Sequence, residues 1–113
     1  MMKVENFLDV EEQTEKSAPG VTVRWAITDE DGAPNFAMRI FDVQPGASTP
    51  FHTHSWEHEV FVLAGSGTVR NAEEEFPLRE GDVIFVPPEE RHQFINRWRD
   101  VLRFICVIPW PVG

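Results

Sequence analysis

A single cysteine, Cys106, stands among 113 residues, so no intramolecular disulfide can form and a reducing compartment is the simpler reading. Positive charge is also scarce. Ten Lys and Arg against 19 Asp and Glu leave a formal net charge of −9, the wrong sign for a phosphate backbone, whose non-specific affinity comes from clustered Lys and Arg. Nucleic acid is therefore not an expected partner. No apolar run approaches a membrane span, and residues 1–10 carry Lys3, Glu5 and Asp9 where a secretion signal would be apolar. A soluble cytoplasmic protein with no membrane partner is the expectation. Beyond Gly20 no stretch keeps an apolar period of 3.6 residues, and Gly or Pro cuts most windows that could, so helix is a minor component. No internal repeat is visible, and the longest low-complexity run, Glu73-Glu74-Glu75, reads as a solvated turn.

What is present is an apolar fraction of 42% with 12% aromatics, enough at this length for one packed core. We expect a single domain, with residues 1–20 as an N-terminal arm ending in the turn signal Ser17-Ala18-Pro19-Gly20 and residues 21–113 as a β-barrel. Short β-rich runs recur at 21–28, 36–43, around His52, and at 58–64, 68–71, 82–86, 92–96 and 102–108. Between them lie Asp31-Gly32-Ala33-Pro34, Pro45-Gly46, Gly65-Ser66-Gly67, Glu80-Gly81-Asp82 and Pro87-Pro88, a spacing that predicts an all-β sandwich or closed barrel. Gly65-Ser66-Gly67 has neither the Lys nor the following helix of a phosphate loop and reads as a hairpin turn. In the last run Leu102, Phe104, Cys106 and Ile108 share an uncharged face that suits the interior. Around 58–64, apolar residues on both faces imply that both are covered, one by a second copy of the chain.

All four histidines lie in two short segments, Phe51-His52-Thr53-His54-Ser55-Trp56-Glu57-His58 and Arg91-His92. On an extended chain residues i and i+2 project to one side, so His52 and His54 can aim two nitrogens at one ion. His58 follows a turn that could return it over the same point, and His92 heads another predicted strand. A lone His on a strand is ordinarily just a satisfied polar residue. Four, with none left outside the pattern, point to a divalent transition metal held by His52, His54, His58 and His92.

The spacing resembles the two motifs of the cupin superfamily. Gly46, five residues, His52-Thr53-His54, three residues, His58, six residues and Gly65 match the first motif; Gly81, five residues, Pro87, then His92 and Asn96 match the second. The resemblance covers residues 35–108 and implies a double-stranded β-helix, the jelly-roll barrel, with a metal open to small molecules. Two positions depart from it: His58 stands where most cupins place a glutamate ligand, and Glu89 where the second motif has glycine. The first departure, with Asn35-Phe36-Ala37-Met38-Arg39 and Trp56-Glu57-His58-Glu59, resembles small manganese-binding cupins with four histidine ligands. Mn is thus the first expectation for the metal, with Fe, Ni, Cu or Zn as alternatives.

Four neutral ligands leave the dication's charge uncancelled and the site without a ligand carboxylate as proton acceptor, unless Glu57 or Glu59 serves. Glu59 could equally orient a ligand ring from behind. The cupin topology places Cys106 near the metal, either as an inert buried thiol or as a soft pocket residue. Arg39 faces either solvent or the pocket, where it would clamp a substrate carboxylate; Phe94, Phe104, Ile108, Val60 and Val62 would then make the remaining wall apolar. Trp25, Trp56, Trp98 and Trp110 read as packing residues, with Trp56 also shielding the site. The leading functional expectation is an oxidoreductase, dioxygenase-like, acting on a small apolar or aromatic substrate. Its alternatives are a metal-dependent isomerase or lyase and a non-enzymatic small-molecule or metal-binding module. A homodimer is expected.

Overall fold

The computed structural model describes residues 1–111; residues 112–113, which the sequence reading assigned to the barrel, lie outside the described residues. Nine strands form, β1 (Gln13–Thr14), β2 (Val21–Ile27), β3 (Phe36–Val43), β4 (His58–Ala64), β5 (Ser66–Arg70), β6 (Glu75–Arg79), β7 (Val83–Val86), β8 (Gln93–Ile95) and β9 (Leu102–Pro109). Their hydrogen bonding gives a six-stranded sheet ordered β1-β2-β3-β9-β4-β7 and a three-stranded sheet ordered β6-β5-β8. Every pairing is antiparallel. The expected jelly-roll barrel is what the chain forms. Among the described residues helix is confined to two single 3₁₀ turns, Phe7–Asp9 and Asp29–Asp31.

Alternation decides what fills the interior. On β9, Leu102, Phe104, Cys106 and Ile108 are at most 3% exposed, and the register sets Val43, Phe41, Arg39 and Ala37 of β3 opposite them. Residues directly opposite in an antiparallel pair share a face, so Arg39 belongs to the interior face. Val69, Leu78 and Phe94 of the smaller sheet join the same cluster and close the barrel. Truncating a fully buried aromatic such as Phe104 would cost about 3–5 kcal/mol.

On the outer face of β2, β3 and β9, Asp42 accepts two hydrogen bonds from Arg103, at 2.6 and 2.8 Å, and lies 3.5 Å from Arg24, which also pairs with Glu12. Both guanidinium groups lie over the Phe7 ring, fastening the arm to the sheet. The arm also adds β1 to the edge of β2, so part of residues 1–20 belongs to the barrel's larger sheet.

Several expectations fail for physical reasons. Gly65-Ser66-Gly67 makes no hairpin: it carries the chain from β4 of one sheet into β5 of the other. Gly65 has φ +82°, and a Cβ there would strike the Val101 carbonyl, so the corner tolerates only glycine. The hairpin comes one strand later, where the Asn71 side chain accepts from the Glu73 and Glu74 amides. Glu73 and Glu74 occupy that turn as expected, but Glu75 opens β6, a strand absent from the sequence reading, and pairs with Arg97. The expected strand around His52 is reduced to an isolated bridge to His92. Trp98 is 60% exposed and does not pack, whereas Trp25 and Trp110 pack on each other with centroids 5.1 Å apart.

Candidate metal centre

The segment after β3 runs beside the β8 segment without forming a continuous ladder, and individual hydrogen bonds deliver its histidines. Gly46 N–H donates to Asn96 O, Asn96 N–H to Ala47 O, and Thr49 N–H to Phe94 O, at 2.8–3.0 Å. His52 and His92 then exchange both backbone bonds, at 3.2 and 2.9 Å. Asn96, fully buried, anchors this register: its amide donates to Val43 O and Asp100 O, and its carbonyl oxygen accepts from Trp98 N–H. Glu89 N–H donates to His54 O and Thr53 Oγ1 donates to Glu89 O, both at 2.6 Å, fixing the second histidine. Glu89 reaches these contacts at φ +70°, in the left-handed region, which is why the motif carries glycine there.

The i,i+2 spacing acts as expected: His52 Nε2 and His54 Nε2 lie 3.2 Å apart. His52, His54 and His92 offer ligand atoms all within 4.8 Å of one another. His58, from the first position of β4, is outside that trio but adjoins it, its ring centroid 5.0 Å from His54 and 4.8 Å from His92. Its Nε2 is buried and has no partner, while Nδ1 faces Cys106 Sγ at 3.1 Å and Arg39 Nη2 at 3.5 Å. His92 directs Nδ1 at the Glu90 carbonyl, 2.9 Å away, which as an N–H donor leaves the Nε2 lone pair free. Trp56 stacks on the His54 ring at 4.5 Å and 6°.

Electrostatics keep these rings neutral. Burial, reinforced by the other imidazoles and Arg39, lowers His58 to about 3 and His52 to about 4. Burial likewise lowers His54 and His92, the latter opposed by its bond to the Glu90 carbonyl. Neutral imidazoles with inward lone pairs and an orphaned buried nitrogen are what a divalent transition metal requires, so the residues fit such an ion. Burial raises the Cys106 thiol, against the influence of Arg39, and a protonated thiol is not a metal ligand.

The histidines border a cavity of about 230 Å³. Of the pocket residues expected from sequence, Arg39, Phe94, Phe104 and Cys106 line it. Ile108, Val60 and Val62 do not, being spent on the core; Ile108 also borders a separate surface groove with Glu57 and Glu59. Glu59 therefore stands on the outward face, away from the histidines, and neither orients a ring nor serves as a base; Glu57 is likewise absent from the cavity wall. Sequence reasoning missed Glu15 and Ser17, which the arm brings to the cavity, and Phe41 and Thr49. Glu15, held by Ser17 Oγ at 2.9 Å, is the one carboxylate lining the cavity among the described residues. Glu15 follows β1, which docks on the edge of β2, and nothing in residues 13–17 marks them as that edge.

This jelly-roll barrel, with histidines from both sequence motifs clustered in a way compatible with a divalent metal, is of the cupin type. The cupin domain family matches residues 39–108, and the chain belongs to it. Among solved structures it is similar to the polyketide cyclase RemF of Streptomyces resistomycificus, with 35% identity, a TM-score of 0.91, and coverage of 96% of this chain and 80% of that one. It is also similar to the oxalate-binding protein of Thermotoga maritima, 34% identical over 57% of this chain and 54% of that one. To the gentisate 1,2-dioxygenase of Haloferax sp it is 37% identical over 62% of this chain and 20% of that one. The chain spans about half or less of the length of the first curated relatives it matches. No helix among the described residues is long and apolar enough to cross a membrane.

Proposed function

We propose that this protein is a metal-dependent enzyme that cyclises or cleaves a small carbonyl compound without net oxidation, using His52, His54, His58 and His92 to hold one divalent ion, Mn(II) first among the candidates. The observation that carries this reading is the group of three histidine nitrogens within 4.8 Å of one another, with the unpartnered His58 Nε2 beside them, at the wall of an aromatic cavity. A dication held by these residues would supply Lewis acidity to a substrate oxygen. Phe41, Phe94 and Phe104, stacked in series at 5.2 and 4.5 Å, make one wall of the cavity apolar, which suits an aromatic or enolised body. Glu15 accepts the proton that an acidified C–H loses, the role no ligand carboxylate is present to fill. The similarity to a polyketide cyclase over nearly the whole chain supports the non-oxidative reading. The dioxygenase reading is the second, favoured by the similarity to gentisate 1,2-dioxygenase. We further infer a homodimer, because Phe61, Val83 and Phe85 leave an apolar patch on the outer face of β4 and β7.

A panel of aromatic 1,3-dicarbonyls and hydroxybenzoates incubated with Mn(II)-loaded protein, under argon and under air, tests the proposal. Product under argon is expected. Turnover only with oxygen consumption would replace it by the dioxygenase, and binding without turnover under either gas by a binding module.

A further inference from the structure

Arginines that reach the interior of a protein are ordinarily paired with an anion, since an isolated buried charge is costly. Arg24 and Arg103 obey this through Asp42 and Glu12. Arg39 does not. Its side chain lies on the inward face of β3, opposite Cys106, and lines the cavity. Its polar neighbours are neutral: Cys106 Sγ at 3.2 Å and His58 Nδ1 at 3.5 Å, both from the same Nη2. Its Nε is buried with no partner, and no carboxylate lies within ion-pairing distance among the described residues. The faces of Trp25 and Phe41, 5.3 and 4.9 Å from the guanidinium carbon, hold the group in place without neutralising it. This half-buried guanidinium, which Glu15 does not ion-pair although it lines the same cavity, stands beside the apolar wall of Phe41, Phe94 and Phe104 and suits a planar anion carried on an aromatic body.

We propose that Arg39 makes the cavity selective for an aromatic carboxylate, whose anionic oxygens pair with the guanidinium while its ring packs in the apolar part of the cavity that Phe41, Phe94 and Phe104 line. This names the substrate class of the cavity and rests on reading it as the substrate site, but it does not require that a metal be bound. Arg39 is thus a specificity-determining residue, and the fork rather than the charge alone matters, because two parallel N–H donors match two carboxylate oxygens.

Benzoate and its neutral isostere benzamide separate charge recognition from ring packing. Titrated by NMR into metal-free full-length protein, benzoate is expected to bind at least tenfold tighter than benzamide. Arg39→Met should bind the two equally, and Arg39→Lys should retain only part of the preference. Mn(II) binding by both variants reports whether the site has folded, since Arg39 is not among the proposed ligands. Equal affinities in the wild type, or an undiminished preference in Arg39→Met, would overturn the proposal; should Arg39→Met fail to fold, an undiminished preference in Arg39→Lys does so. Benzoate selectivity without anaerobic turnover would leave this proposal standing and remove the cyclase reading, whereas turnover without selectivity would do the reverse.

Discussion

His52 and His92, one from each motif, exchange both of their backbone hydrogen bonds, so the two halves of the metal-competent group are joined by main chain and not by side chains. Replacing an imidazole should therefore remove a ligand without moving the backbone that carries the others. His92→Ala is expected to weaken Mn(II) binding by roughly 100-fold or more, beyond the ~10–100-fold typical of partners behind the ligands. The metal-free melting temperature should change little by comparison. Isothermal titration and thermal melts of the same preparation check both; unchanged metal affinity would remove His92 from the ligand set.

Glu89 is held at φ +70° by its bonds to His54 and Thr53. An L-residue in that region is about 1–2 kcal/mol worse off than glycine, offset in part by glycine's greater freedom in the unfolded chain. Glu89→Gly should thus stabilise the protein by up to about 1 kcal/mol, and Glu89→Ala, which keeps the Cβ, should not. Urea midpoints of the three proteins decide it, and a destabilised Glu89→Gly would mean that the carboxylate matters more than the backbone.

The barrel and the histidines were legible because both follow from short periods. The bounds of β3 and β4 are where alternation put them, and the i,i+2 spacing of His52 and His54 survived even though no strand formed there. What sequence hid was set by tertiary partners. The pairing of Phe76 and Leu78 into β6 was masked by the acidic triplet before them and Pro77 between them. At Gly65, local turn chemistry shows that the chain bends but not which sheet receives it. Glu15 reaches the cavity only because β1 docks on β2, and no residue in the arm announces that docking. Arg39 was ambiguous for a different reason: both faces of β3 carry apolar and charged residues, Arg39 inward and Asp42 outward, so only the register with β9 decides between them.

The lowered histidines make the metal-free fold sensitive to acid. In the unfolded chain an imidazole takes up its proton near 6.5, whereas His52 in the fold resists until about 4 and His58 until about 3. Between about 6.5 and 3 the unfolded state binds more protons, so stability is fullest above 6.5 and declines as pH falls through that window. Mn(II) affinity declines in the same direction, because protons compete for the same nitrogens. Denaturant midpoints of the metal-free protein at pH 7.5 and 5 are expected to differ, and the difference should shrink in His58→Gln. A midpoint independent of pH, or a slope unaltered in His58→Gln, would show that burial does not hold these rings neutral.

The outer face of β4 and β7 exposes Phe61 by 43%, Val83 by 75% and Phe85 by 60%, with Phe61 and Val83 directly paired across the strands. Contiguous apolar side chains of this size on a strongly acidic chain are the ground for the inferred homodimer, since isolated exposed apolar residues need no explanation but a cluster does. A second copy meeting this face through a twofold axis would bury the patch against itself, with Glu59, which pairs with Phe85 on the same face, at the contact. Replacing Val83 with Lys and Phe85 with Glu places two charges on the outward face of β7 and removes the apolar character of the patch without touching the cavity. Light scattering should give twice the chain mass for the wild type and the chain mass for the double variant, with Mn(II) binding preserved in both. A monomeric wild type, or a dimer that survives the double substitution, would place the contact elsewhere or deny it.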